Sequence, residues 1–180
     1  MSDEAKIAHH ARALLDVAEA AGHADAVADE LDVVAAAVSA PDAARVLLNP
    51  VAPISVKVET VRAIGAQAGL TPTTAKLLVI LAEHDALAKL APLAVAYRAR
   101  LLDRRNIVPA EVTTALPLPP DRIEALARRL GEVTGKQVLL SSAVDPSIIG
   151  GVVAKVGSTV YDGSITTQLA RMRQKLVENV

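Results

Sequence analysis

Apolar positions recur at helical spacing through the first hundred residues. Ile7, Ala11, Leu14 and Ala18 share one face, with Gly22 as the stop. Val27, Leu31, Val34 and Val38 repeat the pattern as far as Pro41, and a short helix from Pro41 to about Leu48 closes at Asn49-Pro50. Ser55 is placed to cap a fourth helix with apolar positions Val58, Val61, Ile64 and Ala68, ended by Gly69. Thr71 caps a fifth. Its run Leu77 to Leu81 is apolar nearly all round, so it is expected to lie centrally in a bundle. Leu87, Leu90, Ala94, Tyr97 and Leu101 then mark a long helix to about Arg105.

At Asn106 the period changes. Residues 107–115 are β-branched and partly alternating, which predicts a strand, with Pro109 expected on a sheet edge. A helix follows, carrying Ile123, Leu126, Leu130 and Val133 and ended by Gly135. Strands are then expected over residues 137–144, 151–156 and 159–161. A terminal helix bears Ile165, Leu169, Met172 and Leu176, with Arg171, Arg173 and Lys175 towards its negative end. The pattern predicts a mainly α protein with a small α+β part. An N-terminal six-helix bundle (1–105) precedes a smaller C-terminal domain (106–180) with a short mixed sheet and a terminal helix.

Composition narrows the chemistry. The chain has 180 residues, 52% of them apolar, which marks a globular protein able to bury about 70% of its unfolded surface. Two tyrosines and no Phe or Trp leave the core to Leu, Val, Ile and Ala, and the absence of cysteine removes disulfides and thiol chemistry. Net charge is −1, which offers no field for nucleic acid or anionic lipid. Residues 1–43 carry nine acids against Lys6 and Arg12, a local balance of −7, whereas residues from Asn106 onward balance at +1. The N-terminus has no signal-peptide pattern and is too acidic for a mitochondrial transit peptide, and no apolar run is long enough to span a membrane.

No catalytic constellation stands out, and neither a metal nor a cofactor site is expected. Gly131 to Gln137 resembles a phosphate loop but is one residue short, has Gln137 where Ser or Thr is needed, and runs from helix to strand. It reads as a helix C-cap. His9 and His10 point about 100° apart on a helix and cannot share a metal as an i, i+4 pair could, and His23 and His84 sit at helix ends. Gly150 and Gly151 suit a bulge or a close backbone approach, and Asp162 or Ser164 suits the cap of the last helix.

The stretch Val144-Asp145-Pro146-Ser147-Ile148-Ile149-Gly150-Gly151-Val152 with Asp162-Gly163-Ser164 resembles the C-terminal signature of the ATP synthase delta subunit family, relatives of the mitochondrial oligomycin sensitivity conferral protein. Ala11-Arg12-Ala13-Leu14, Leu48-Asn49-Pro50, residues 112–118 and Tyr97 fit the same family in order and spacing. Two positions depart from it: His10 stands where the family usually has Tyr, and Ala86 where it commonly has Arg.

The resemblance implies a non-catalytic stator subunit of the F-type ATP synthase, linking the catalytic head to the peripheral stalk so that proton transport is coupled to ATP synthesis. It implies a peripheral protein on the cytoplasmic face of a bacterial cell membrane, held there only through the complex. The N-terminal bundle would bind N-terminal segments of alpha subunits, along a seam of the first and fifth helices involving Ala11, Leu14, Leu77 and Leu81. The C-terminal domain would bind the b subunits. The acidic first helices would orient a basic partner segment. The alternative is a free-standing helical nucleic-acid-binding module of the antitermination type, against which the lack of a basic stripe counts.

Overall fold

A computed structural model describes residues 3–49, 51–146, 148, 150–157, 159–169 and 172. The chain divides into two compact units, Met1–Leu101 and Leu102–Val180. It is mainly helical, with a small four-stranded mixed sheet and a terminal helix.

The first unit holds α1 (Asp3–Ala20), α2 (Ala24–Ser39), α3 (Pro41–Leu47), α4 (Ile54–Ala68) and α5 (Pro72–Glu83). A 3-10 turn (Leu87–Lys89) then runs straight into α6 (Leu90–Arg104), so the long helix expected from residue 87 starts one tight turn late. The apolar stripes meet in one core: Ala11, Leu15 and Ala18 of α1, Val27, Leu31 and Val34 of α2, Leu78 and Ala82 of α5, and Leu90 and Tyr97 of α6. Each fully buried Leu or Val contributes about 1.5–3 kcal/mol of transfer free energy. Small residues at the contacts, such as Ala11 and Ala18, let the helix axes approach closely.

Polar side chains fix how these helices register. Thr71 caps α5, its Oγ1 accepting from the Thr74 N–H. The Glu30 carboxylate of α2 accepts from both the Thr71 N–H and its hydroxyl at 2.8 Å, which ties α2 to the start of α5. The buried Tyr97 hydroxyl donates to the Ala24 carbonyl at 3.0 Å, satisfying the polar end of the largest core side chain. Arg98 of α6 pairs with Asp29 and Asp32, one helical turn apart on α2. Its guanidinium pKa is raised, chiefly by the hydrogen bond to Asp29 and also by Asp32, against an opposing desolvation. Ser55 is not the cap of α4. Pro53 occupies that position and no side chain closes the helix start, because the helix begins at Ile54.

The second unit holds β1 (Ile107–Thr114), α7 (Pro120–Thr134), β2 (Gln137–Val144), β3 (Val152–Val156) and β4 (Thr159–Asp162). The sheet order is β2-β1-β3-β4, with β1 parallel to β2 across the α7 crossover and antiparallel to β3. Pro109 is therefore on an interior strand and not on an edge. It sits where the β1–β3 ladder runs out: Gly157 donates to the Pro109 carbonyl at 3.1 Å, and the reciprocal bond is the one a proline cannot make. Ala110, Val112 and Thr114 alternate into the core of this unit, facing Ala154 and Val156.

Gly135 ends α7 in the left-handed conformation, its N–H on the Gly131 carbonyl, so the glycine pair around Thr134 is a helix C-cap. The terminal helix is described at 165–169 and 172. Pro50, Ser147, Ile149, Arg171, Arg173, Lys175 and Leu176, read above as turn, signature or helix positions, lie outside the described residues.

Candidate partner-docking site

Residues 77–81 of α5 read as apolar on every side, yet the helix is not enclosed. Leu78 and Ala82 are buried, Leu77 and Leu81 are half-buried, and Ile80 is 52% exposed. The uncovered side forms a cleft of about 320 Å³ with α1 and the 3-10 turn, floored by Ile7, Leu77, Leu81 and the edge of Leu93. Lys6 and His10 of α1, His84 at the end of α5, and Ala86 and Lys89 complete the lining. His10 and Ala86, the two departures from the family pattern, both lie in this cleft.

The four sequence-predicted docking residues are split by the fold. Leu77 and Leu81 line the cleft, whereas Ala11 and Leu14 are buried in the core on the inner side of α1. The reason is position along the helix. Ile7, Ala11 and Leu14 share one face of α1, but only the N-terminal turn carrying Lys6, Ile7 and His10 borders the cleft, while the next turns of the stripe pack into the core. Sequence periodicity marked the apolar stripe correctly but could not say which part of it a neighbouring helix would cover. Ile7, Ile80 and Leu93 were missed for the same reason.

The rim of the cleft is held from behind by a buried charge. Lys57 of α4 is 1% exposed and its ammonium donates to the Asp85 carboxylate. Asp85 follows α5 at φ 51°, a left-handed conformation uncommon for a residue with a side chain. Its neighbours are also fixed, with Ala86 donating to the Leu81 carbonyl at 2.8 Å and His84 to that of Ile80 at 3.1 Å. The pair therefore anchors the turn that carries His84 and Ala86 into the cleft.

In the second unit the expected structural signature is assembled by backbone contact. A Cβ on Gly151, at φ 91°, would stand 2.4 Å from the Gly163 carbonyl oxygen and 2.9 Å from the Ser164 Cα. Gly163 donates to Val152 and Ile165 to Gly150, both at 2.9 Å, which the absence of side chains permits. Asp162 accepts from the Ser164 N–H through Oδ1 and from the Thr167 hydroxyl through Oδ2, while the Ser164 hydroxyl accepts from the Thr167 N–H at 3.3 Å. Beside this knot an open apolar hollow of about 690 Å³ runs between Leu116, Leu118 and Leu126, with Arg122 and Arg129 of α7 on its border. Among the described residues no group of acids and histidines is placed to hold a metal ion, and no helix is long and apolar enough to cross a membrane.

Two compact units, each presenting an apolar hollow, define a protein that works through its surfaces. Residues 7–176 match the family described as ATP synthase delta (OSCP) subunit. The chain is 41% identical over 173 residues to ATP synthase subunit delta of Myxococcus xanthus (strain DK1622), covering 93% of each chain. It is 35% identical to the subunit of the same name from Geobacter sp. (strain M21), covering 98% of each. Its fold is similar to that of a chain in a cryo-electron-microscopy structure of the Toxoplasma gondii mitochondrial ATP synthase hexamer, with a TM-score of 0.67 at 24% identity and 98% coverage of both chains. The chain belongs to the ATP synthase delta (OSCP) subunit family, whose members are non-catalytic structural subunits of the F-type ATP synthase. The nucleic-acid-binding alternative has no support in these relationships.

Proposed function

We propose that the protein is a stator link, joining the catalytic head of the synthase to its peripheral stalk and resisting rotor torque. In this reading the six α-helices of the N-terminal bundle act as one rigid body that binds N-terminal segments of the alpha subunits, and the C-terminal α+β domain binds the b subunits. The protein would then sit at the cytoplasmic face of a bacterial cell membrane, held there through the complex.

The observation that carries the reading is the uncovered face of α5. Leu77, Ile80 and Leu81 stand at i, i+3 and i+4 in a cleft closed on its other side by Ile7. An amphipathic helix offers apolar side chains at the same spacing, so helix-in-groove docking is the association that buries this surface with the least rearrangement. The hollow beside α7 supports a second, separate attachment, because Leu116 is 76% exposed next to two arginines.

Reconstitution tests the reading. The purified chain is expected to restore coupled ATP synthesis to membranes stripped of their stalk. Ile80→Glu with Leu81→Glu is expected to abolish that recovery while leaving the helical circular-dichroism signal intact. No recovery by the folded parent chain would sink it.

A further inference from the structure

The cleft along α5 has a charge sign that the chain as a whole does not have. Lys6 and His10 come from α1, His84 from the end of α5, and Lys89 from the 3-10 turn; all four are exposed and all four line the cleft. No Asp or Glu lines it. Two acids stand close to it. Asp85 follows His84 directly, yet its carboxylate takes the buried Lys57 ammonium. Asp3 reaches Lys89 only at 3.7 Å, with both side chains at least half exposed, a contact that water and salt weaken. The acidity of α2 is also spent internally, with Asp29 and Asp32 on Arg98 and Glu30 on Thr71.

From this arrangement we infer that the cleft selects an amphipathic helix whose apolar stripe is flanked by acidic residues, with Lys6 and Lys89 as the principal selecting charges. The inference rests on reading the cleft as a docking groove and adds the chemistry of what docks there. It reverses the expectation from the acidic N-terminal sequence that a basic segment would be favoured. Leu77, Ile80 or Leu81, and His84 span i, i+3 or i+4, and i+7, so the occupant needs about two apolar turns facing the floor. Acids beside that stripe would meet lysines at the rim without being buried themselves. Such contacts steer and select more than they tighten.

The test uses the full chain and three short labelled helical peptides with one leucine stripe, flanked by Glu, by Lys or by Gln. Fluorescence anisotropy at low salt is expected to rank them Glu, Gln, Lys, with roughly tenfold between the ends, a gap that a few exposed ion pairs can supply. Raising ionic strength should draw all three towards the Gln value. The double variant Lys6→Glu, Lys89→Glu should invert the order, and Lys6→Gln, Lys89→Gln should flatten it; retained binding of the Gln peptide shows that both variants remain folded. Equal binding of the Glu and Lys peptides, or tighter binding of the Lys peptide, overturns the charge preference while leaving the groove in place. Binding of none of the three overturns the docking reading itself.

Discussion

The two units solve the same packing problem with very different depth. In the first, stripes from every α-helix converge on a core that includes Leu15, Leu31, Leu78, Leu90 and Tyr97, all nearly inaccessible to solvent. In the second, the buried apolar side chains among the described residues are Ala110, Val112, Ala154 and Val156, all small, and α7 buries none of its residues fully. Transfer free energy follows buried apolar area, so the first unit is held chiefly by its core, and the second leans on backbone pairing and on the glycine–serine knot. A deep core of this kind makes a rigid body. A shallow, half-covered sheet suits a surface that gains burial only when a partner arrives.

The sharpest way to break this contrast is a cavity in the deep core. Leu78→Ala should destabilise the first unit by about 3 kcal/mol, read from its denaturant midpoint, and leave hydrogen exchange in the second unit unchanged. Concerted loss of both would mean the units are not independent. Next in size is the buried lysine. Asp85→Asn keeps the side-chain shape and leaves the buried Lys57 side chain without its carboxylate partner, so it should cost about 2–3 kcal/mol, whereas Lys57→Met should cost under about 1 kcal/mol. Equal losses would contradict the assignment of the penalty to the stranded ammonium.

In the second unit Gly151→Ala should cost about 1–3 kcal/mol, seen as faster exchange of the Gly163 and Ile165 amides, because the added Cβ meets backbone that cannot yield. Arg98→Met should cost no more than about 1 kcal/mol, its loss shrinking in salt. The sign of the Arg98 shift also matters. A guanidinium pKa raised on folding contributes its stabilisation fully below the unfolded arginine value and loses it only above the folded one, so Arg98 adds no slope of stability with pH across the neutral range. The smallest effects on stability belong to Ile80→Ser and Leu116→Ser, each within about 0.5 kcal/mol by thermal melting. They should separate in binding, Ile80→Ser weakening only peptides that dock on the first unit.

Much of this architecture was legible in the chain because helical periodicity and capping are local. Thr71 as the cap of α5, Gly135 as a helix end and Asp162 with Ser164 at the terminal helix each depend on a few neighbouring residues. The errors arose where the deciding residue was far away. Ser55 lost its cap to Pro53 through the entry of the preceding turn, and Pro109 proved interior because a strand more than forty residues later ends opposite it. The all-round apolar run of α5 suggested enclosure, although an apolar surface records only that something covers it, within the chain or outside.

The sequence by itself determined the elements, the composition of the core and the family, since these follow from local patterns and from order along the chain. Tertiary structure alone decided that Leu77 and Leu81 face a cleft while Ala11 and Leu14 are buried in the core, that Asp85 is spent on Lys57, and that Lys6 and Lys89, far apart along the chain, line the same cleft. The physical reason is that a charge or an apolar face acquires its role from what stands opposite it. Packing chooses that partner, and spacing along the chain does not.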